Sequence, residues 1–316
     1  MKKIFIYFLV LIFICFAIPI IFTQEFSERT SSQNVENGNL EDSNIIEEST
    51  YNYKDYNTIK LLHTETGEIQ EIDLDEYLYG VVSAEMPASF EEEALKAQAV
   101  VARTYTIYKI VNNDGKHGEA DICDDSGCCQ AWISKDDRFA RWEEDEQENN
   151  WKKIVNAVNS TQGKIITYEG KPINAFFHSN SGGATEAPID VWGGSGYPYL
   201  QSVSTSGEDA YSQYSSEATF SKNEFIEKIK EVHSDFEINF DEEDCIKIEE
   251  YTDGNRVKTI KIGNLELSGV EVRTIFDLRS ANFEITINGN EIKFKVIGYG
   301  HGVGMSQTGA DSLAKE

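Results

Sequence analysis

Residues 73–111 read DLDEYLYGVVSAEMPASFEEEALKAQAVVARTYTIYKIV, and the order of caps, apolar residues and one proline in this stretch decides the fold. Asp73-Leu-Asp-Glu76 has the form of a capping box, in which a side-chain acceptor opens a helix and an acid three positions on reaches back to it. The helix then runs through Tyr77-Leu-Tyr-Gly-Val-Val-Ser-Ala. Pro87 disfavours helical geometry at Met86 and favours a break, after which Ser89-Phe-Glu-Glu92 repeats the capping pattern. A second helix is expected from about Phe90 to Val111, with Ala94, Leu95, Ala97, Ala99, Val100, Val101 and Ala102 around most of its circumference, the pattern of a buried central helix. Glu85 therefore falls in the last turn of one helix, at the corner leading to the next. Burial among apolar residues and the negative end of a helix dipole both oppose ionisation, so both raise its carboxyl pKa toward the range a general acid needs. A helix-terminal glutamate hydrogen-bonded to backbone fits the local pattern equally well.

On the N-terminal side, Ile59-Lys-Leu-Leu62 and Ile69-Gln-Glu-Ile72 flank Thr64-Glu-Thr-Gly67 as a β-hairpin. On the C-terminal side the alternation is that of strands, at 164–168 and 172–177 around Glu169-Gly170, and at 283–287 and 292–297 around Asn288-Gly289. Helices first and hairpins later make residues 58–316 an α+β globular region with a buried central helix and several β-hairpins. The 316 residues, 40% of them hydrophobic, suffice for a sizeable core. Lys2 and Lys3 precede an apolar run from Ile4 to Phe22, just long enough to cross a hydrocarbon layer and followed by no small-residue cleavage site. Residues 1–23 are thus expected to be a single-pass transmembrane helix in the cell membrane, with the lysines inside and all that follows extracytoplasmic. Residues 24–57, rich in Ser, Asn, Glu and Asp, read as a disordered acidic linker. A net charge of −27 argues against nucleic acid as a partner and disfavours anionic polymers, leaving a neutral glycan compatible. The acidic runs at 143–146 and 241–244 read as solvated faces.

Three constellations carry chemistry. His117, Cys123, Cys128 and Cys129 follow the central helix within one loop-like stretch, and one imidazole with three thiolates fits a closed, structural zinc site. Disulfide bonding, with Cys245 as a possible partner, is the alternative. Phe177-His178-Ser-Asn-Ser-Gly-Gly183 ends a strand in a loop whose glycines let backbone amides approach a ligand and whose hydroxyls can bond sugar oxygens, or it is an ordinary turn. Between Gly298 and Gly304 four alternating glycines follow a strand and precede a short helical run, around His301, which reads either as a ligand or as a structural histidine.

Residues 81–106, the Ser179-Asn-Ser-Gly-Gly183 loop, Tyr197-Pro-Tyr-Leu200 and Gly300-His-Gly-Val-Gly-Met-Ser-Gln307, in this order, resemble the stage II sporulation protein D family over essentially the whole chain beyond the linker. The resemblance implies a membrane-anchored lytic transglycosylase that cuts peptidoglycan glycan strands during engulfment in sporulation. It implies a preference for strands already stripped of stem peptides, with a cell-wall amidase and a membrane protein of the engulfment machinery as partners. It also implies that Glu85 is the catalytic acid/base. Ser179, Ser181, Gly182, Tyr199, His301 and Gln307, carried by the family-like loops, become candidate sugar contacts. Arg103, inside the central helix, either holds substrate or pairs with a carboxylate. Relatives often carry tyrosine where Thr308 stands and a terminal helix beyond the position of Glu316. One strong carboxylate rather than two favours a transglycosylase over a hydrolase, because the sugar's own 6-hydroxyl replaces an activated water. The alternatives are a non-catalytic enhancer of a cell-wall amidase and a metallohydrolase built on His117, His178 or His301.

Overall fold

The computed structural model describes residues 56–316. The expected membrane anchor and nearly all of the expected linker lie outside the described residues, and among those described no helix is long and apolar enough to cross a membrane. Strands β1 (Thr58–Leu62) and β2 (Ile69–Asp73) form the expected antiparallel hairpin, with Leu62 opposite Ile69. Asp73 then caps α1 (Leu74–Glu85), its carboxylate accepting from the amides of Asp75 and Glu76 at 2.9 and 3.3 Å. The helix stops as Pro87 requires: Met86 swings to φ −120° and ψ 141°.

The next helix, α2 (Glu92–Val111), is the central one, with Leu95, Ala99 and Ala102 fully buried. Its expected cap at Ser89 is not used. Instead the Glu91 amide donates to Asp311 Oδ1 at 2.6 Å, and Lys153 Nζ donates to the carbonyls of Ala88 (3.0 Å) and Phe90. Tertiary partners thus satisfy groups that local capping leaves open. Strand β3 (Ile122–Cys123) adds to β1 in parallel, and α3 (Lys135–Phe139) and α4 (Gln147–Ser160) follow.

The expected hairpin at 164–177 shrinks to β4 (Thr167–Tyr168) and β5 (Lys171–Pro172) around the Glu169-Gly170 turn, whose φ values are 49° and 72°. Beyond it Ile173 and Ala175 are buried against the helical core, so this segment serves packing rather than a sheet. Strand β6 (Phe177–His178) and α5 (Pro188–Trp192) complete this half.

Residues 215–297 hold a second hydrophobic core of their own. They comprise β7 (Ser215–Ser221), α6 (Lys222–Val232), β8 (Ile246–Tyr251), β9 (Val257–Ile262), β10 (Leu265–Ser268), α7 (Gly269–Ile275), β11 (Phe283–Asn288) and β12 (Glu291–Ile297). Two antiparallel sheets, ordered β11-β12-β7 and β10-β9-β8, enclose Phe225, Phe276 and Phe294, with ring centroids 4.8 Å (Phe225–Phe276) and 5.0 Å (Phe276–Phe294) apart. The β11–β12 hairpin forms with Asn288 opposite Glu291, so its turn is Gly289-Asn290, one residue later than the sequence pattern places it.

The chain then returns to the first core, where β13 (Met305–Ser306) pairs in parallel with β6 and α8 (Gln307–Ala314) lies against α2. Arg256 ties the halves together. It donates to the carbonyls of Ser181 and Ala184, both at 3.1 Å, with Glu186 3.8 Å away. The fold is α+β, with two cores.

Candidate functional site

The end of α1 and the β6–β13 pairing meet at Glu85. Its Oε1 accepts from the Ala131 amide at 2.7 Å, and the Gln307 side chain, at the first position of α8, also hydrogen-bonds the carboxyl. Burial raises the Glu85 pKa above the ordinary glutamate value, and these two bonds only partly oppose the rise. Ala131 is held in place from both sides. Gln130 Nε2 donates to Tyr77 Oη and Thr106 Oγ1, both at 2.9 Å. Trp132 lies against α1 at Gly80, where an added Cβ would sit 2.2 Å from the indole nitrogen.

Two cavities meet at this carboxyl. One, of about 450 Å³, is lined among others by Tyr105, Ser126, Phe177, His178, Tyr299 and His301, with Arg273 contributed by the second core. The other, of about 280 Å³, is lined among others by Met86, Pro87, Arg138, Gln213 and Thr308. Glu85, Ser179 and Gln307 line both, and among the described residues no other carboxylate lines either.

Of the candidate sugar contacts, Ser179, His301 and Gln307 gather around Glu85, whereas four others do not line these cavities. Arg103 is fully buried; it donates to Val158 O at 3.1 Å and to Lys164 O and Thr161 Oγ1 at 3.3 Å, with Asp75 3.7 Å away. It clamps the end of α4 and is closed to substrate, so its substrate-binding assignment is corrected to a structural one. Ser181 is also fully buried and gives its hydroxyl to Glu208, which corrects its assignment in the same way. Gly182 has φ 70° and packs on the glycine loop, where a Cβ would meet Ile297 Cγ2 at 2.9 Å; its role is close packing rather than ligand approach. Tyr199 lies apart, its hydroxyl accepting from the Asn174 amide at 3.1 Å and its ring 5.4 Å from that of Tyr197.

His301 accepts from the Val303 amide on Nδ1 at 3.0 Å, and burial followed by the charges of Arg273 and Arg256 pushes its pKa down to about 4. Burial pushes His178 down to about 3, and its Nδ1 donates to Val303 O at 3.1 Å. Both rings are neutral at ordinary pH and brace the glycine loop from which Gln307 emerges.

A carboxylate that sequence reasoning missed organises the loops behind the site. Glu208, 2% exposed, accepts from Thr205 Oγ1 (2.7 Å), Thr308 Oγ1 (3.2 Å), the amides of Ser181 (3.2 Å) and Gly183 (3.3 Å), and the hydroxyls of Ser181 and Ser306. Burial opposes its ionisation, but the hydroxyls of Ser181, Ser306 and Thr205 outweigh burial and hold its pKa at about 2. No local motif marks it, because its partners come from three separate loops.

His117, Cys123, Cys128 and Cys129 converge, their four donor atoms lying within 4.8 Å of one another. The separations are 3.3 Å (His117 Nε2 to Cys129 Sγ), 3.6 Å (His117 Nε2 to Cys128 Sγ) and 3.9 Å (Cys128 Sγ to Cys129 Sγ). Ligands about 2.0–2.3 Å from a tetrahedral ion have such spacings, so the adjacent cysteines fit one ion. Cys245 is buried elsewhere, and none of the four described cysteines is disulfide-bonded. Among the described residues His178 and His301 do not belong to a metal-binding set, and of the residues on which a metallohydrolase would be built only His117 does. Cys129 lines the larger cavity and precedes Ala131 by two residues, so this set braces the loop that bonds Glu85.

Comparison with known proteins places these features in a lineage. Residues 62–168 match the SpoIID family, described as stage II sporulation protein. Over 261 residues, 82% of the chain, the sequence is 39% identical to the stage II sporulation protein D of Bacillus amyloliquefaciens and to that of Bacillus subtilis, spanning 73% and 74% of those proteins. An amidase enhancer of Bacillus subtilis is 29% identical over 75% of the chain, a match spanning 37% of that protein.

Proposed function

The chain belongs to the stage II sporulation protein D family, a family of sporulation proteins, and on that premise we propose that it is a lytic transglycosylase acting on the glycan strands of peptidoglycan. One observation carries the reading: Glu85, its pKa raised by burial, is among the described residues the sole carboxylate lining the two cavities that meet at it. A hydrolase of the two-carboxylate type needs a second acid to activate water or to attack the sugar. With one, the protonated carboxyl gives its proton to the bridging oxygen as the glycosidic bond breaks. The resulting carboxylate then takes the proton of the same muramic unit's 6-hydroxyl as that oxygen bonds to C1. The acid is regenerated, no water is consumed, and the product carries a 1,6-anhydro end. Ser179 and Gln307 are read as sugar contacts, and Gln307 also orients the carboxyl. His301 holds the loop that carries Gln307.

The same reading takes strands stripped of stem peptides as substrate. It places the protein on the outer side of the cell membrane through its N-terminal apolar run, beside an amidase and a membrane protein of the engulfment machinery. His117, Cys123, Cys128 and Cys129 are read as a structural zinc site; zinc there would have a closed shell with no position for water and would contribute folding stability. Chelation is then expected to lower the thermal midpoint and the activity together, and activity lost with the midpoint unchanged would overturn this role.

The test of the enzymatic reading is mass analysis of strand ends released by the full-length protein and by Glu85→Gln. Anhydro ends from the first and none from a folded second are expected; ordinary reducing ends would refute it. The similarity to an amidase enhancer supports a second reading, in which the groove binds glycan and presents it to an amidase without cutting. Under it, neither protein releases ends of any kind, while both stimulate the amidase.

A further inference from the structure

Each cavity beside Glu85 contains one arginine that neither the mechanism nor the core uses. The arginine ion pairs among the described residues are Arg103 with Asp75 and Arg256 with Glu186; Arg273 and Arg138 form none. Arg273, from α7, lines the larger cavity and anchors only its Nε, which donates to Leu278 O at 3.2 Å. Burial disfavours its charge, against which Tyr299 and Asp277 favour it. Arg138, from α3, lines the smaller cavity; its guanidinium lies 4.7 Å from the Trp142 ring centre, and its Nε is buried without a hydrogen-bond partner. In a chain of net charge −27, two half-buried guanidinium groups, one in each cavity beside Glu85 and neither within ion-pair distance of a carboxylate, are placed to accept an anion from a ligand.

Directly on its sugar backbone, a peptidoglycan strand carries a carboxylate only after its peptides are removed. Muramic acid alternates with N-acetylglucosamine, and each muramic unit carries a lactyl group. Its end is a neutral amide while a peptide is attached and a free carboxylate once the peptide is gone. A planar guanidinium matches a carboxylate in a two-point geometry that an amide cannot reproduce.

We propose that Arg273 and Arg138 bind the free lactyl carboxylates of muramic units on either side of the scissile bond, and so select peptide-stripped strands. This rests on the reading of the groove as a glycan site. It also resolves a tension in the composition: the acidic surface disfavours an anionic polymer at long range, and two local cations accept it at the point of contact.

The test measures binding, in the full-length Glu85→Gln protein, of peptide-stripped strands and of the same strands with their lactyl carboxylates converted to methylamides. Stripped strands are expected to bind more tightly. Adding Arg273→Gln or Arg138→Gln is expected to lower the ratio of the two affinities about tenfold each, the effect of losing a charge-assisted hydrogen bond. Arg273→Lys, which keeps the charge and covers the case of a misfolded glutamine variant, should recover part of the ratio, and added salt should reduce it. Equal binding of both strands, or a preference that survives both glutamine variants, overturns the proposal. The parent reading fails separately. If the wild-type protein releases no anhydro ends yet shows the arginine-dependent preference, recognition stands and catalysis falls. If it releases them with a preference indifferent to both arginines, catalysis stands and recognition falls.

Discussion

Glu208 is buried and Glu85 half-buried at a cavity wall, both in the first half of the molecule, and their surroundings shift their pKa values in opposite directions. Six hydroxyl and amide donors converge on Glu208 and hold its pKa at about 2. Glu85 receives the Ala131 amide and the Gln307 side chain, and burial prevails, leaving its pKa raised. Burial sets the cost of a charge; the number of donors decides whether that cost is met. A saturated carboxylate is a permanent anion that organises loops. An under-donated one at a cavity wall holds its proton to higher pH than an ordinary glutamate, as a general acid must.

The largest expected effect isolates the second kind. Glu85→Gln should lower strand cleavage about a thousandfold, within the range of general acid/base contributions. The comparison breaks if a folded Glu208→Gln protein loses as much activity, measured as anhydro ends per folded molecule. Next in size, Glu208→Ala should destabilise the fold by about 3 kcal/mol, since it strands buried donors around a lost anion. Urea unfolding reads this directly, and an unchanged midpoint would refute the organising role.

The two acids should also oppose each other in their pH dependence. Glu208 has a lowered folded pKa, so its stabilisation is present above the ordinary value of 4.5 and is lost as pH falls toward about 2. Glu85 has a raised folded pKa, so its contribution is present at low pH and is lost as pH rises through the folded value. Glu85→Gln should therefore raise the thermal midpoint at neutral pH, and Glu208→Gln should flatten the acid limb; the same sign in both variants would erase the distinction. The smallest expected effect sharpens it. Gln307→Ala removes a donor that lowers the Glu85 pKa, so the alkaline limb of the rate profile should move up in pH, with about a threefold change in rate. A downward shift would mean that Gln307 acts on the substrate alone.

The Glu85 corner was legible because its determinants are local: Asp73 caps α1, and Pro87 ends it. The four metal-ligand candidates were legible as residue types, although only the fold reveals that adjacent cysteines can face one point. Glu208 was not legible, because it stands in an unremarkable Gly-Glu-Asp-Ala turn and draws partners from residues 181 to 308. The same cause misassigned Ser181 and Arg103, whose polar side chains serve buried networks, and hid the true cap of α2, which Asp311 supplies from 220 positions away. The second core was missed because β7 and β8 have no fully buried residue, so their sequences lack a strong apolar alternation.

The parallel pairing of β13 with β6 gives the protein a timing property. Ser306, Gln307 and Asp311 reach back to Glu208, Glu85 and the start of α2, so the groove cannot assemble until residues 306–311 have been synthesised. Contacts of such long sequence separation form late in folding. A nascent copy that ends before residue 306 would thus emerge without an assembled groove around Glu85.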